Sequence, residues 1–179
     1  IQFSNGGSHF NAGKGLSNEN QKAAIAGGVA GAKHIHEMAK IYGATVILHG
    51  DTYDLASDHA KKIAKHQKLT FIHPFDDPEV ISGQGTIGKE ILEDFENKLD
   101  ALFVAVGGGG LISGVGAYIK NKQPNIKIIA VEAEDAAGLY KSLKLGKRIK
   151  LEKVGLFADG AAAKQIGLNN FKVIEEWID

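Results

Sequence analysis

The sequence predicts an α/β fold, a parallel twisted sheet with helices on both faces. Three observations predict it. From position 43 onward, short β-rich apolar runs alternate with helical patterns. One run, Ala101–Val106 (ALFVAV), is apolar at every position, as a strand inside a parallel sheet reads. Four consecutive glycines, Gly107–Gly110, then join that run to a helical pattern. Right-handed crossovers follow from such alternation, and they put ligand sites at the carboxyl ends of the strands.

The elements follow in order. Leu16–Ala24 is expected as a helix capped by Ser17, with Asn20 where a capping box has Glu or Gln. Gly27–Ala32 reads as small and flexible, and Ile35–Tyr42 as helical. Thr45–Leu48 (TVIL) is a buried strand punctuated by Gly50-Asp51. Thr52–Lys65 is a helix with Leu55, Ala56, Ala60, Ile63 and Ala64 on one face. Thr70–Ile72 is a short strand closed by His73-Pro74. Pro78–Lys98 holds a helix, with Ile87, Ile91, Leu92 and Phe95 at three- and four-residue spacing. Leu111–Lys120 is the next helix, Ile126–Val131 a buried strand, and Ala136–Leu145 a short helix. The ligand-edge loops are therefore Gly50–Thr52, His73–Pro78, Gly107–Gly110 and Glu132–Ala136.

Composition removes several function classes. Lys and Arg number 21, as do Asp and Glu, so the net charge is zero. That balance gives no electrostatic case for nucleic acid or an anionic membrane. No apolar stretch approaches the roughly 18 residues that span a bilayer. With no cysteine, disulfides, thiolate metal sites and cysteine nucleophiles are excluded. A reducing, cytoplasmic setting is expected. The chain begins at Ile1 without a signal-peptide pattern, and is expected to be a processed product or a fragment.

The glycine run carries the chemistry. Without side chains, backbone N–H groups can close around an anion, and the next helix turns its positive end to the same place. No Lys or Arg is required. The bland alternative is a tight turn with close helix–sheet packing. A P-loop is disfavoured, because the Gly-Lys-Ser/Thr ending is missing. A dinucleotide site stays open: Gly108, Gly110 and Ser113 approximate G-x-G-x-x-G, and Glu132 ends the following strand, where an acid can bind ribose.

Val106–Leu111 (VGGGGL) is preceded by His73–Ile81 (HPFDDPEVI) and Ser82–Ile87 (SGQGTI). It is followed by Val131–Asp135 (VEAED) and Val154–Gly160 (VGLFADG). In this order the motifs resemble the threonine dehydratase and serine racemase group of pyridoxal 5′-phosphate (PLP) enzymes, of fold type II. VEAED and VGLFADGAAAKQIG are most similar to the biosynthetic threonine deaminase type. The resemblance covers roughly residues 43–179. It implies PLP as cofactor, its phosphate held by Gly107, Gly108, Gly109, Gly110 and the N–H of Leu111. It places the Asp159-Gly160 turn near the cofactor ring, so Gly160 joins the cofactor-binding set. The implied reaction is β-elimination of threonine or serine to a 2-oxo acid and ammonia, as in isoleucine biosynthesis.

The same resemblance marks departures. The family's Schiff-base lysine lies in a Ser-Phe-Lys-x-Arg-Gly-Ala stretch that is absent here. Matching Phe10-Asn11 and Gly15-Leu16-Ser17 to the text beyond that stretch puts Asn5 at the lysine position. Lys14 is the nearest lysine and reads as a solvated loop residue. The carboxylate-binding Ser-Ala-Gly-Asn-His becomes AGAKH at Ala30–His34, and the Ser-Gly-x-Asn stretch is missing. Residues 1–42 are thus expected to be a divergent or truncated small-domain remnant, and 43–179 the PLP-binding core. No catalytic residue is assigned. One function reading is a threonine dehydratase-like enzyme. The other is a non-catalytic, truncated or redesigned derivative that keeps the fold and a phosphate pocket. Apolar surface left by truncation favours a homo-oligomer.

No metal site is assigned. Glu132 matches a cation ligand of serine racemase-like relatives, but the later acidic position is Gly138, so Glu132, Glu134 and Asp135 read as solvated acids or a weak cation site rather than a dedicated metal site. His34 and His36 do not share a helix face. His49 and His73 read as structural histidines at strand ends. Lys61-Lys62 and Lys144–Lys150 read as solvated surface.

Overall fold

The computed structural model describes residues 2–3, 24–27, 40–50, 53–95, 99–155 and 158–178. By contacts the chain divides into two compact units, Ile1–Pro74 and Phe75–Asp179.

The first unit holds a three-stranded parallel sheet, β1 (Gln2–Phe3), β2 (Ala24–Gly27) and β3 (Thr45–Leu48), in that order. Ile25 pairs with both Gln2 and Val46. Helix α1 (Tyr53–Gln67) buries an alanine stripe, Ala56, Ala60 and Ala64, with Ile63, Leu69 and Phe71 packed beside it. The period-3.6 face predicted for this helix is the buried one, except that Leu55 is exposed. Ala24 opens a strand rather than closing a helix. The rest of the helix expected over Leu16–Ala24 lies outside the described residues, as do Gly28–Ala32 and Ile35–Ala39. The expected strand at Thr70–Ile72 is not formed. Its residues have β propensity, yet a ladder also needs a partner, and Phe71 instead packs onto α1.

The second unit is built on a parallel pair, β4 (Ala101–Ala105) and β5 (Lys127–Val131), with Ala101 opposite Lys127 and Ala105 opposite Val131. Its helices are α2 (Pro78–Asp94), α3 (Gly110–Lys122), α4 (Gly138–Leu145) and α5 (Leu168–Glu175). Single 3-10 turns lie at Glu134–Ala136 and Asp159–Ala161. Asp77 starts α2: its carboxylate accepts the N–H of Glu79 (2.9 Å) and of Val80 (3.4 Å), and Pro78 takes a first-turn position that needs no donor. Ile112, Ile119, Ile128 and Ile174 are fully buried in one core with Val104, Val106 and Leu139. Each such side chain contributes about 1.5–3 kcal/mol by leaving water.

The apolar run of β4 is not covered evenly. Val104 and Val106 are buried, whereas Phe103 is 68% exposed. A continuous apolar run marks a hydrophobic strand but does not state which face is filled.

Candidate functional site

The glycine loop leaves the end of β4 and enters α3. Gly107, Gly108 and Gly109 form bends, and Gly110 is the first residue of the helix. Gly109 stands at the cap position with φ +95°, a left-handed conformation that an L side chain rarely adopts. Gly109 offers no side chain to cap this helix, and its first turn holds no acidic residue. The first N–H groups of a helix have no acceptor within the helix. Here they are left to the loop and its surroundings, at the positive end of a 13-residue helix.

All four glycines also have a packing reason. A Cβ on Gly107 would sit 2.9 Å from the Ala161 carbonyl oxygen. One on Gly108 would overlap the Phe75 ring, and one on Gly110 would lie 2.9 Å from the Phe75 carbonyl oxygen. On Gly109 it would lie 2.5 Å from Ile166 Cδ1. Close packing alone therefore explains why four glycines are needed. The uncapped helix end, not the number of glycines, is what argues for an anion.

Of the residues singled out from sequence, Gly107–Gly110 and Leu111 run consecutively into the head of α3, with Gly109 and Gly110 buried and Leu111 exposed. The turn that contains Gly160 is brought beside it, since Ala161 backs Gly107. Asn5, Lys14 and the Ala30–His34 stretch lie outside the described residues, as do His34 and His36.

Glu132 does something else. Its two carboxylate oxygens accept the N–H groups of Leu139 and Tyr140, each at 2.8 Å, and so cap α4. Both oxygens are thus engaged at the head of α4. Asp135 lies against Gly155, whose N–H donates to the Asp135 carbonyl (3.0 Å). Among the described residues no three His, Asp or Glu side chains converge as a metal site requires. His49 stacks on His59 with ring centroids 3.8 Å apart, and His73 meets the Phe71 ring edge-on. Lys61 lies 3.9 Å from Asp58 and over the Phe71 ring.

Sequence reading missed what stands behind the loop. Asp76 accepts the N–H groups of Leu168 (2.8 Å), Asn169 (2.8 Å) and Asn170 (3.2 Å), capping α5 from far away in the chain. Asn169 Nδ2 returns a bond to the Asp76 carbonyl. Asn170 Nδ2 donates to the carbonyls of Phe75 (2.6 Å) and Gly108 (3.0 Å). Arg148 Nε holds the Ile166 carbonyl at 2.9 Å. Partners more than 90 positions apart leave no local signal.

Residues 30–179 match the family model described as pyridoxal-phosphate dependent enzyme. The chain is a member of that family. Among this PLP family's curated members, the mitochondrial threonine dehydratase of Schizosaccharomyces pombe is 52% identical over 141 residues, 78% of this chain and 24% of its own length. The processed form of threonine deaminase isoform 2 from Solanum lycopersicum has a structure that superposes with TM-score 0.81 at 42% identity. That match covers 89% of this chain and 46% of the other. Maize serine racemase superposes with TM-score 0.78 at 32% identity, over 88% of this chain and 48% of that one. The chain thus spans about a quarter of the curated relative and about half of the solved ones. Fold type II and PLP as the family's cofactor follow from this membership. The residues present fit a phosphate: a helix end whose cap residue offers no side chain, and no acidic group in the first helical turn.

Proposed function

We propose that this chain is the PLP-phosphate-binding part of a threonine dehydratase-type enzyme, which eliminates the hydroxyl of threonine or serine to give a 2-oxo acid and ammonia. The observation that carries the reading is the uncapped head of α3 behind Gly107–Gly110, in a chain of this family. In the proposal the N–H groups of Gly107 to Leu111 bind the phosphate, the positive helix end favours its charge, and the turn at Gly160 borders the ring. What the cofactor supplies in this chemistry is an electron sink for negative charge at the substrate α-carbon. The chain's own part is to fix the phosphate and so orient the ring. Its proposed setting is the cytoplasm and a biosynthetic, isoleucine-forming route. The cysteine-free composition supports a reducing compartment, and relatives named biosynthetic support the biosynthetic role. Among the described residues no helix is long and apolar enough to cross a membrane. Association of copies belongs to the same proposal, supported by exposed Phe103 and Val131.

A second reading is favoured by the absence of the Ser-Phe-Lys-x-Arg-Gly-Ala stretch. In that reading the chain keeps the phosphate site but not turnover. Incubation with PLP, borohydride reduction and peptide mass spectrometry separate the two. A single pyridoxyl-lysine together with 2-oxo acid from threonine supports the enzyme. Saturable binding of a phosphorylated pyridoxine without adduct or product supports the derivative. Absence of any phosphate-dependent binding defeats both.

A further inference from the structure

Behind the glycine loop stands a side chain that neither its packing nor the helix it belongs to requires. Asn170 lies in the first turn of α5 and is fully buried. Its amide nitrogen spans two carbonyls, Phe75 at 2.6 Å and Gly108 at 3.0 Å. The Gly108 carbonyl also accepts the N–H of Gly167 at 2.9 Å. Two donors on one carbonyl fix the plane of the Gly108–Gly109 peptide. In a planar trans peptide the C=O and the following N–H point in opposite directions. Holding the Gly108 oxygen toward Asn170 therefore turns the Gly109 N–H away from α5.

A second observation concerns the other end of the same amide. Asn170 Oδ1 is buried and has no hydrogen-bond partner among the described residues. An unmet buried acceptor is costly, whereas an apolar side chain of the same size is not. Packing alone would select the apolar residue. The donor end explains why an amide stands here, and both of its bonds go to the loop or to the Phe75 backbone behind it.

We infer that Asn170 is a positioning residue of the anion site: it sets the plane of the Gly108–Gly109 peptide and so aims the Gly109 N–H at a bound phosphate. Asp76 supports it by holding the Asn170 N–H and the first turn of α5. The inference rests on the phosphate reading of the loop proposed above.

The test uses the full chain with pyridoxine 5′-phosphate and pyridoxine, which lack the aldehyde and cannot react with the chain's lysines. Binding of each compound is read by equilibrium dialysis, from the ligand's own absorbance. The readout is the ratio of the two dissociation constants, pyridoxine over its phosphate. The unmodified chain is expected to prefer the phosphate. Asn170→Leu is expected to lower the ratio about tenfold, the loss of one hydrogen bond to a charged group, with pyridoxine binding unchanged. Partial unfolding scales both constants alike and leaves the ratio intact. Should Asn170→Leu fail to fold, Asn170→Ser gives the same readout with a smaller side chain. A ratio near one in the unmodified chain overturns the phosphate reading itself. A clear preference that survives substitution within twofold overturns the role of Asn170 alone.

Discussion

Gly108 and Gly83 show how differently two glycines of one unit behave. A methyl on Gly108 would enter the Phe75 ring, while nothing lies within 4 Å of the position a Cβ would take on Gly83. Gly108→Ala is therefore expected to lower unfolding free energy by about 1–3 kcal/mol, as overpacking does. Gly83→Ala, at an exposed position of α2, is expected to raise it by about 0.5–1 kcal/mol through helix propensity. Urea unfolding of the two variants side by side checks both signs. Glu132 makes a third case. Because both its oxygens cap α4, Glu132→Ala is expected to destabilise by about 1 kcal/mol in thermal unfolding. Sequence alone left Glu132 open as a ribose or cation ligand. An acid at a strand end has the same pattern whether it faces a ligand or a helix seven residues ahead.

Helices α2 and α3 cross through small residues. A Cβ on Gly88 would lie 3.0 Å from the Val115 carbonyl oxygen, and one on Gly85 would lie 3.3 Å from that of Gly114. A Cβ on Gly114 would overlap the Ile81 carbonyl oxygen. Helical glycines are locally unfavourable, so their concentration at one crossing is compensated by close backbone approach. Gly114→Ala is expected to push the helices apart and to lower the urea midpoint markedly, where Gly83→Ala raises it. Helix boundaries were legible where the signal was local. Asp77-Pro78 announces the start of α2, and the spacing of alanines announces the buried face of α1. Strands β1 and β2 were not legible, because two to four residues of mixed size carry no period. The tie between Asp76 and α5 was hidden for another reason, since it joins positions more than 90 residues apart.

At the scale of the molecule, the motif order from His73 to Gly160 was enough to name the family, while the machinery around the loop was not readable. Motifs record which residues are used, and the packing that orients them is spread along the chain. One face of the β4–β5 pair also has a solution consequence. Phe103 is 68% exposed and Val131 46% exposed, and the pairing places them on the same face, two registers apart along the strands. Such a surface favours association. Sedimentation velocity at increasing concentration is expected to show a concentration-dependent rise in mass, and Phe103→Lys is expected to reduce it. Unchanged sedimentation would remove this face from the association proposed above.

The bonds from Asp76 to Leu168, Asn169 and Asn170 have a consequence in time as well as in space. Asp76 stands at the beginning of the second unit and α5 near its end. During synthesis, the loop at Gly107–Gly110 emerges long before the residues that pin its Gly108 carbonyl. A nascent chain halted before Leu168 carries every glycine of the loop, and Gly167 as well, yet it lacks the Asn170 donor. Its non-local closure must wait for α5 to emerge. The shape of the loop is thus completed only when α5 has been made, and a chain ending at Gly167 should lose phosphate preference while every motif remains in place.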